Sequence, residues 1–309
     1  MSHFLRRRLG QVVVTLWGVV TLVFFLQRLA GDPTFLLVPE TATQADIDAL
    51  RHALGFDRPL FVQYLSFLGD LVRLDLGVSV VQNIPVVDIL ASRLTYTLEL
   101  AAGALLVAVG FGVPAGVLLA TGRQKWWARW VGALVFAAQS MPTFWSGILL
   151  ILVFAVTLGW LPPSSVGGPE HLVLPSIALG LLSMATFARM TRTSLLDEST
   201  KDYVRSAKAR GAGPSRILRR HLARNASIPV ITVAAIEIAN LLAGAVIVET
   251  VFAWPGLGQV TVQAILARDF MVVQGVVLLG AFVTVALNML ADLLYSAVDP
   301  RIRLDGRSP

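Results

Sequence analysis

Six stretches of this sequence are apolar for long enough to cross a bilayer, and that dictates helices through most of the chain. They lie at about residues 9–29, 95–121, 130–158, 172–190, 228–248 and 271–298, against a requirement of about 20 apolar residues per spanning helix. Inside hydrocarbon every backbone N–H and C=O needs a partner within the protein, so segments of this kind are helical. The expected fold class is an all-α membrane protein with six transmembrane helices. Composition agrees: 56% of the 309 residues are hydrophobic and 14% charged, with mean hydropathy +0.73, too apolar for a soluble domain. The first stretch follows Arg6-Arg7-Arg8 and stays apolar over 9–26. It exceeds the about 7–15 residues of a signal-peptide core and reads as a retained span.

Direction follows from the placement of Lys and Arg, which are held on the cytoplasmic side. With the N-terminus inside, the cytoplasmic segments hold Arg6, Arg7 and Arg8; Arg123, Lys125 and Arg129; ten residues between Arg189 and Arg224; and Arg301, Arg303 and Arg307. That is nineteen of the 25 positive residues, so both termini are expected in the cytoplasm. The net charge of +6 sits in these loops, where membrane orientation explains it and nucleic acid is not implied. The expected organisation is a basic end with the first span (1–30), an external helical subdomain (31–93), a transmembrane core (94–298) containing a cytoplasmic segment (191–227), and a cytoplasmic tail (299–309). In the subdomain, Thr43 with Asp46 is a capping-box variant, Gly55 a helix stop, and 60–74 a second helix. Gly112 and Gly116 form a small-xxx-small pair, read as helix packing within the chain.

The segment between Arg189 and Arg224 is polar and basic, and it separates two apolar spans. It carries Arg189, Arg192, Lys201, Arg205, Lys208, Arg210, Arg216, Arg219, Arg220 and Arg224. Ser199 with Asp202 is an expected cap, Gly211 a left-handed stop, and Pro214 the first position of a second short helix reaching about residue 226, before Pro229 opens the next span. Ser206, Ala207 and Ala209 leave room for close approach, and Tyr203 and Val204 offer apolar anchors for a groove. Three uses fit these residues: docking to a partner, lying on anionic lipid headgroups, or a solvated loop held inside by charge.

Resemblance narrows them. Asp202-Tyr203-Val204-Arg205, Ala207-Lys208-Ala209-Arg210-Gly211, Arg220-His221 and Arg224-Asn225-Ala226 to Pro229 resemble the cytoplasmic coupling segment of permease subunits in binding-protein-dependent ABC importers, in the dipeptide/oligopeptide/nickel branch. Of the more general Glu-Ala-Ala-x-x-x-Gly form, only Ala207 and Gly211 match. Gly31-Asp32-Pro33, Leu54-Gly55-Phe56-Asp57-Arg58-Pro59-Leu60 with Gln63-Tyr64, Asp75-Leu76-Gly77-Val78-Ser79, Leu158-Gly159-Trp160-Leu161-Pro162, the loop from Glu249 to Gly258 and Asp299-Pro300-Arg301 are similar to the same branch along the whole chain. The resemblance implies the type I importer permease fold in the bacterial inner membrane. It implies a homologous second permease, two ABC ATPase subunits and an external binding protein as partners, with di- or oligopeptides, a nickel complex or glutathione as cargo. It assigns ATPase coupling to Asp202, Tyr203, Val204, Arg205, Ala207, Lys208, Gly211, Arg220 and His221. The external loop, with Glu249, Phe252, Trp254, Pro255, Gly256 and Gly258, would approach the delivered substrate; an aromatic belt position is the plainer reading of its rings.

Chemistry of the chain's own is not expected. The lysines are Lys125, Lys201 and Lys208, and none precedes Ser or Thr in a phosphate-binding loop, so ATP and magnesium belong on partner subunits. There is no cysteine, and His3, His52, His171 and His221 lack metal-ligand spacing. Candidates for the translocation pathway are the polar break Gln139, Ser140, Met141, Pro142 with Trp145, and Glu237 with Asn240 on one helix face. Glu99 and Asp292, near span ends, read as structurally paired or snorkelling, and Asn288 as a helix–helix hydrogen bond. The alternative function is a secondary transporter driven by protons through Glu237 or Asp292.

Overall fold

The computed structural model describes residues 2–29, 43–53, 55–122 and 125–298. Gly31-Asp32-Pro33, Leu54, Arg123 and the tail from Asp299 lie outside the described residues, as do the side chains of Arg6, Arg7, Arg8, Asp46 and Asp292. Among the described residues the regular structure is helical, with one isolated β-bridge between Val78 and Pro85. In chain order the helices are α1 (Ser2–Leu29), α2 (Gln44–Ala53), α3 (Leu60–Val72), α4 (Val86–Thr121), α5 (Trp126–Ser140) and α6 (Thr143–Leu150), the last prolonged by a π-helical stretch Ile151–Thr157. Then come α7 (Pro169–Ser199), α8 (Asp202–Ala209), α9 (Pro214–Ile217), a π-helical stretch Leu218–Leu222, α10 (Ala223–Val251), α11 (Leu257–Leu266) and α12 (Phe270–Val298).

Among the described residues, five helices are long and apolar enough to span, and α5 with α6 makes a sixth if the bent pair is one span. That pair turns through 109° between Ser140 and Thr143, at the polar break that the sequence marks. The cause is local. Pro142 drives the preceding Met141 into extended backbone (φ −84°, ψ 129°), α5 stops at Ser140, and the Pro142 carbonyl accepts from the N–H of Trp145 and Ser146 to begin α6. Other boundaries also moved. α4 begins at Val86, nine residues before the expected span, and α7 runs on to Ser199. The helical path from Pro214 continues through Pro229 to Val251, because a bundle resupplies the hydrogen bond that an interior proline removes.

The chain forms two compact units, one from residues 1–95 and 259–285 and the other from 96–258 and 286–309. The start of α12 groups with residues 1–95 in the first unit. In the first unit, Val20, Val23 and Leu278 are buried against Phe67, Leu68, Leu71 and Leu76. Phe24 packs on the rings of Tyr64 and Phe67, and the Arg28 guanidinium lies 4.8 Å above the rings of both Phe24 and Phe56. Gly55, at φ +70°, closes α2 with Phe56 N–H reaching the Arg51 carbonyl at 3.0 Å, the expected stop. Nearby, a hydrogen bond from the His52 ring holds the Asp57 carboxyl below its ordinary value. Buried Asp269 caps α12, accepting from Val272 N–H, and also accepts from the Ser79 hydroxyl at 2.5 Å.

In the second unit, Leu100, Ala104, Leu174, Ala178, Leu241, Ala245 and Val248 form the core with Phe252 and Trp254. α4 and α7 approach closely because glycine faces backbone. A Cβ on Gly112 would lie 2.5 Å from the Met184 carbonyl oxygen, one on Gly116 2.5 Å from that of Ala188, and one on Gly180 2.7 Å from that of Ala104. The small-xxx-small pair therefore packs within the chain.

Candidate functional site

The basic segment between Arg189 and Arg224 is stapled to its own bundle. α8 ends in a Schellman closure: Gly211, at φ +78°, donates to the Lys208 carbonyl at 2.9 Å, and Ala212 donates to that of Ala207 at 3.1 Å. Pro214 then opens α9 at its first turn, where a missing N–H costs nothing. The expected Ser199 cap is absent. The Ser199 hydroxyl donates back to the Leu196 carbonyl and ends α7, while Lys201 stands before α8 with no side-chain cap bond.

Burial reverses one expectation. Val204 and Ala207, 1% and 2% exposed, lie in a cluster with Leu195, Ile217, Leu222 and Ala226, so neither is an outward anchor. Tyr203 is half-buried against that cluster. Its hydroxyl donates to the Glu198 carboxylate and accepts from Asn225 Nδ2 at 3.3 Å, with the His221 carbonyl 3.5 Å away. Burial, then the Glu198 hydrogen bond, push the Tyr203 hydroxyl above its ordinary value of 10.0. Asp202, Arg205, Ser206, Lys208, Ala209 and Gly211 are exposed, as is Arg220, and His221 is half-buried. The outward face of α8 is thus small and basic, with one weak i,i+3 ion pair, Arg205 to Asp202 at 3.4 Å.

The pathway candidates fall into two places. Ser140, Met141, Pro142 and Trp145 are exposed at the α5–α6 elbow, with Gln139 half-buried. Glu237 on α10 is 9% exposed and accepts from the Ser183 hydroxyl of α7 at 2.5 Å. Asn240 Nδ2, one turn on, reaches the other Glu237 oxygen at 3.4 Å and remains exposed.

The loop from Glu249 to Gly258 is organised around a carboxylate at the end of α10. Glu249 is fully buried; one oxygen accepts from the Thr97 hydroxyl at 2.7 Å and the other from Gly258 N–H at 2.6 Å. Thr97 in turn accepts from Leu257 N–H at 2.8 Å. Gly256 has to be glycine because a Cβ there would strike the Glu249 carboxyl, and a Cβ on Gly258 would strike Val246 and the same carboxyl. Phe252 and Trp254 are core residues, with Trp254 Nε1 donating to the Tyr96 carbonyl at 2.9 Å; they are neither belt residues nor free to meet substrate. Half-buried Pro255 lies between them and the glycines. Sequence reasoning missed Glu198, Ser183 and Thr97. Each is an ordinary polar residue whose partner lies on another helix or across a turn, and no spacing announces such a pair.

Among the described residues the chain is helical, with apolar spans, one of them interrupted, and a short polar helix packed between two others, an arrangement suited to a protein of the membrane. The models of the binding-protein-dependent transport system inner membrane component match residues 112–304, and those of its N-terminal part residues 1–101. The chain belongs to that family and is a permease subunit of an ABC importer, a multi-pass inner-membrane protein. It is 38% identical over 333 residues to the di/tripeptide transport system permease protein DppB of Pseudomonas aeruginosa, covering 98% of this chain and 99% of that one. It is 39% identical over 304 residues to the glutathione transport system permease protein GsiC of Escherichia coli O6:H1, with the same coverage. Among solved structures, an inward-facing MetNI methionine ABC transporter matches with a TM-score of 0.59 at 24% identity, over 68% of this chain and 96% of that one, which establishes the shared fold. Family membership implies ATPase and substrate-binding partners in general.

Proposed function

We propose that this chain forms half of a translocation pathway that moves di- or oligopeptides, or a related small solute such as glutathione or a nickel complex, into the cytoplasm by alternating access. Its relatives named for di/tripeptide and glutathione transport, matched over nearly their whole length, support that cargo class. A second, homologous permease would complete the pathway, an external binding protein would deliver cargo, and two ATPase subunits would hydrolyse ATP with magnesium. N- and C-termini would face the cytoplasm, as the distribution of positive residues favours. Gln139, Ser140, Met141, Pro142, Trp145 and Asn240 would line the pathway.

The observation that carries the reading is α8: eight residues held by packing on one side and exposing Arg205, Ser206, Lys208 and Ala209 on the other. A nucleotide-driven partner pressing on that face would move the attached spans as levers. The outward residues, rather than buried Ala207, are the ones to test. In proteoliposomes containing the assembled complex, Ala209→Trp is expected to abolish ATP-dependent uptake of a labelled dipeptide. Unchanged ATP hydrolysis and uptake would refute the coupling role. The proton-driven alternative draws no support from Glu237, whose carboxylate is already engaged by Ser183 and Asn240.

A further inference from the structure

α8 has eight residues, too few to be a stable helix by itself. Thr200 and Lys201 join it to α7, and residues 210–213 join it to α9. Links of two and four residues at its ends let it hinge, and the inward face offers Val204, Ala207 and the Tyr203 ring to the buried cluster. Apolar contact is non-directional and allows sliding. A charge-assisted hydrogen bond is directional and stronger.

One such bond is present. The Tyr203 hydroxyl donates to Glu198 in the last turn of α7, and Asn225 in the first turn of α10 donates to that same hydroxyl. A single oxygen therefore joins three helices, two of them spans. Its orientation also argues against a partner contact: the hydroxyl is turned into its own chain, while the residues around it on α8 that face outward are Asp202, Arg205 and Ser206.

We propose that Tyr203 is a positioning residue whose hydroxyl locks the coupling helix to both flanking spans, so that displacement of α8 moves α7 and α10 as one body. The inference rests on α8 being the element that the ATPase subunits contact. It differs from that reading in assigning Tyr203 to transmission, not to docking.

The chain has no cysteine, which makes paired spin labels clean to install. Labels at Arg210→Cys, at the C-terminal end of α8, and Ile231→Cys on α10, both exposed positions, report their separation in the complex assembled with its ATPase subunits. With Tyr203 intact, one narrow distance distribution is expected with and without Mg-ATP. Tyr203→Phe, which keeps the ring and its packing, is expected to lose that narrow distribution on nucleotide addition, while subunit yield stays within about twofold of the parent, since the ring keeps its place against the cluster. Asn225→Ala removes the second tie without touching the ring, and is expected to broaden the distribution as well. The proposal is overturned if either variant stays as narrow as the parent. It is equally overturned if Tyr203→Phe loses ATPase subunits, which marks a partner contact. Ser206→Trp, on the outward face, separates the two ideas: if that variant retains its ATPase subunits and full hydrolysis, docking on α8 is wrong.

Discussion

The Thr97 hydroxyl donates a 2.7 Å hydrogen bond to Glu249, joining residues 152 positions apart. Together with Gly258 N–H it neutralises the demands of a carboxylate that no water reaches. A buried carboxyl is costly unless its oxygens are hydrogen-bonded, so the loop and the side chain stabilise each other. Glu249→Ala strands the Thr97 hydroxyl and the Gly258 N–H and is expected to cost about 3 kcal/mol, whereas Glu249→Gln, which keeps the shape, costs about half as much. Thermal unfolding in detergent would rank the two; equal values would mean the carboxylate does not organise the loop.

Gly211 and Gly213 look alike in sequence and differ in conformation. Gly211 sits at φ +78°, where a side chain is strained, and Gly213 at φ −67° with open space around it. Gly211→Ala should destabilise by about 1 kcal/mol. Gly213→Ala should be neutral by the same denaturation measurement.

The glycines of α4 make a parallel contrast. A Cβ at Gly112 or Gly116 meets a carbonyl of α7, and one at Gly110 meets nothing within 4 Å. Gly112→Ala and Gly116→Ala are each expected to cost about 1–3 kcal/mol through forced separation of the helices. Gly110→Ala is the control, and a comparable loss there would remove the packing explanation.

Alkaline pH should loosen α8. The folded-state value of Tyr203 is raised above 10.0 by burial and by Glu198, so the proton is held more tightly folded than unfolded. Its contribution to stability is complete below the ordinary tyrosine value and is lost as pH rises through the raised one. Ultraviolet titration of the phenolates should therefore lose a late-ionising component when Tyr203 is replaced by Phe.

Legibility in the sequence followed the physics of each signal. Hydropathy counting found the spans because length and apolarity are written continuously along the chain, and it marked the break at Pro142. It failed on angle, because 109° is set by Met141 and the packing beyond it rather than by composition. Gly211 and Pro214 were readable because backbone chemistry is local. Val204 and Trp254 were misplaced because an apolar residue beside charged or polar neighbours does not say which side will cover it. The partnerships of Tyr203 with Glu198 and of Thr97 with Glu249 depend on where helices end in space.

The bent third span has a further bearing on how the protein lives in lipid. Each arm, Trp126–Ser140 and Thr143–Thr157, is roughly 22 Å long at 1.5 Å per residue, short of a hydrocarbon core about 30 Å thick. Neither arm bridges that thickness unaided, and the corner leaves Met141, Phe144 and Trp145 uncovered. A bilayer thin at this point, or a protein neighbour seated in the crook, has to make up the difference. Whatever fills the crook in the bilayer, this segment depends on it in a way that the helices long enough to cross by themselves do not.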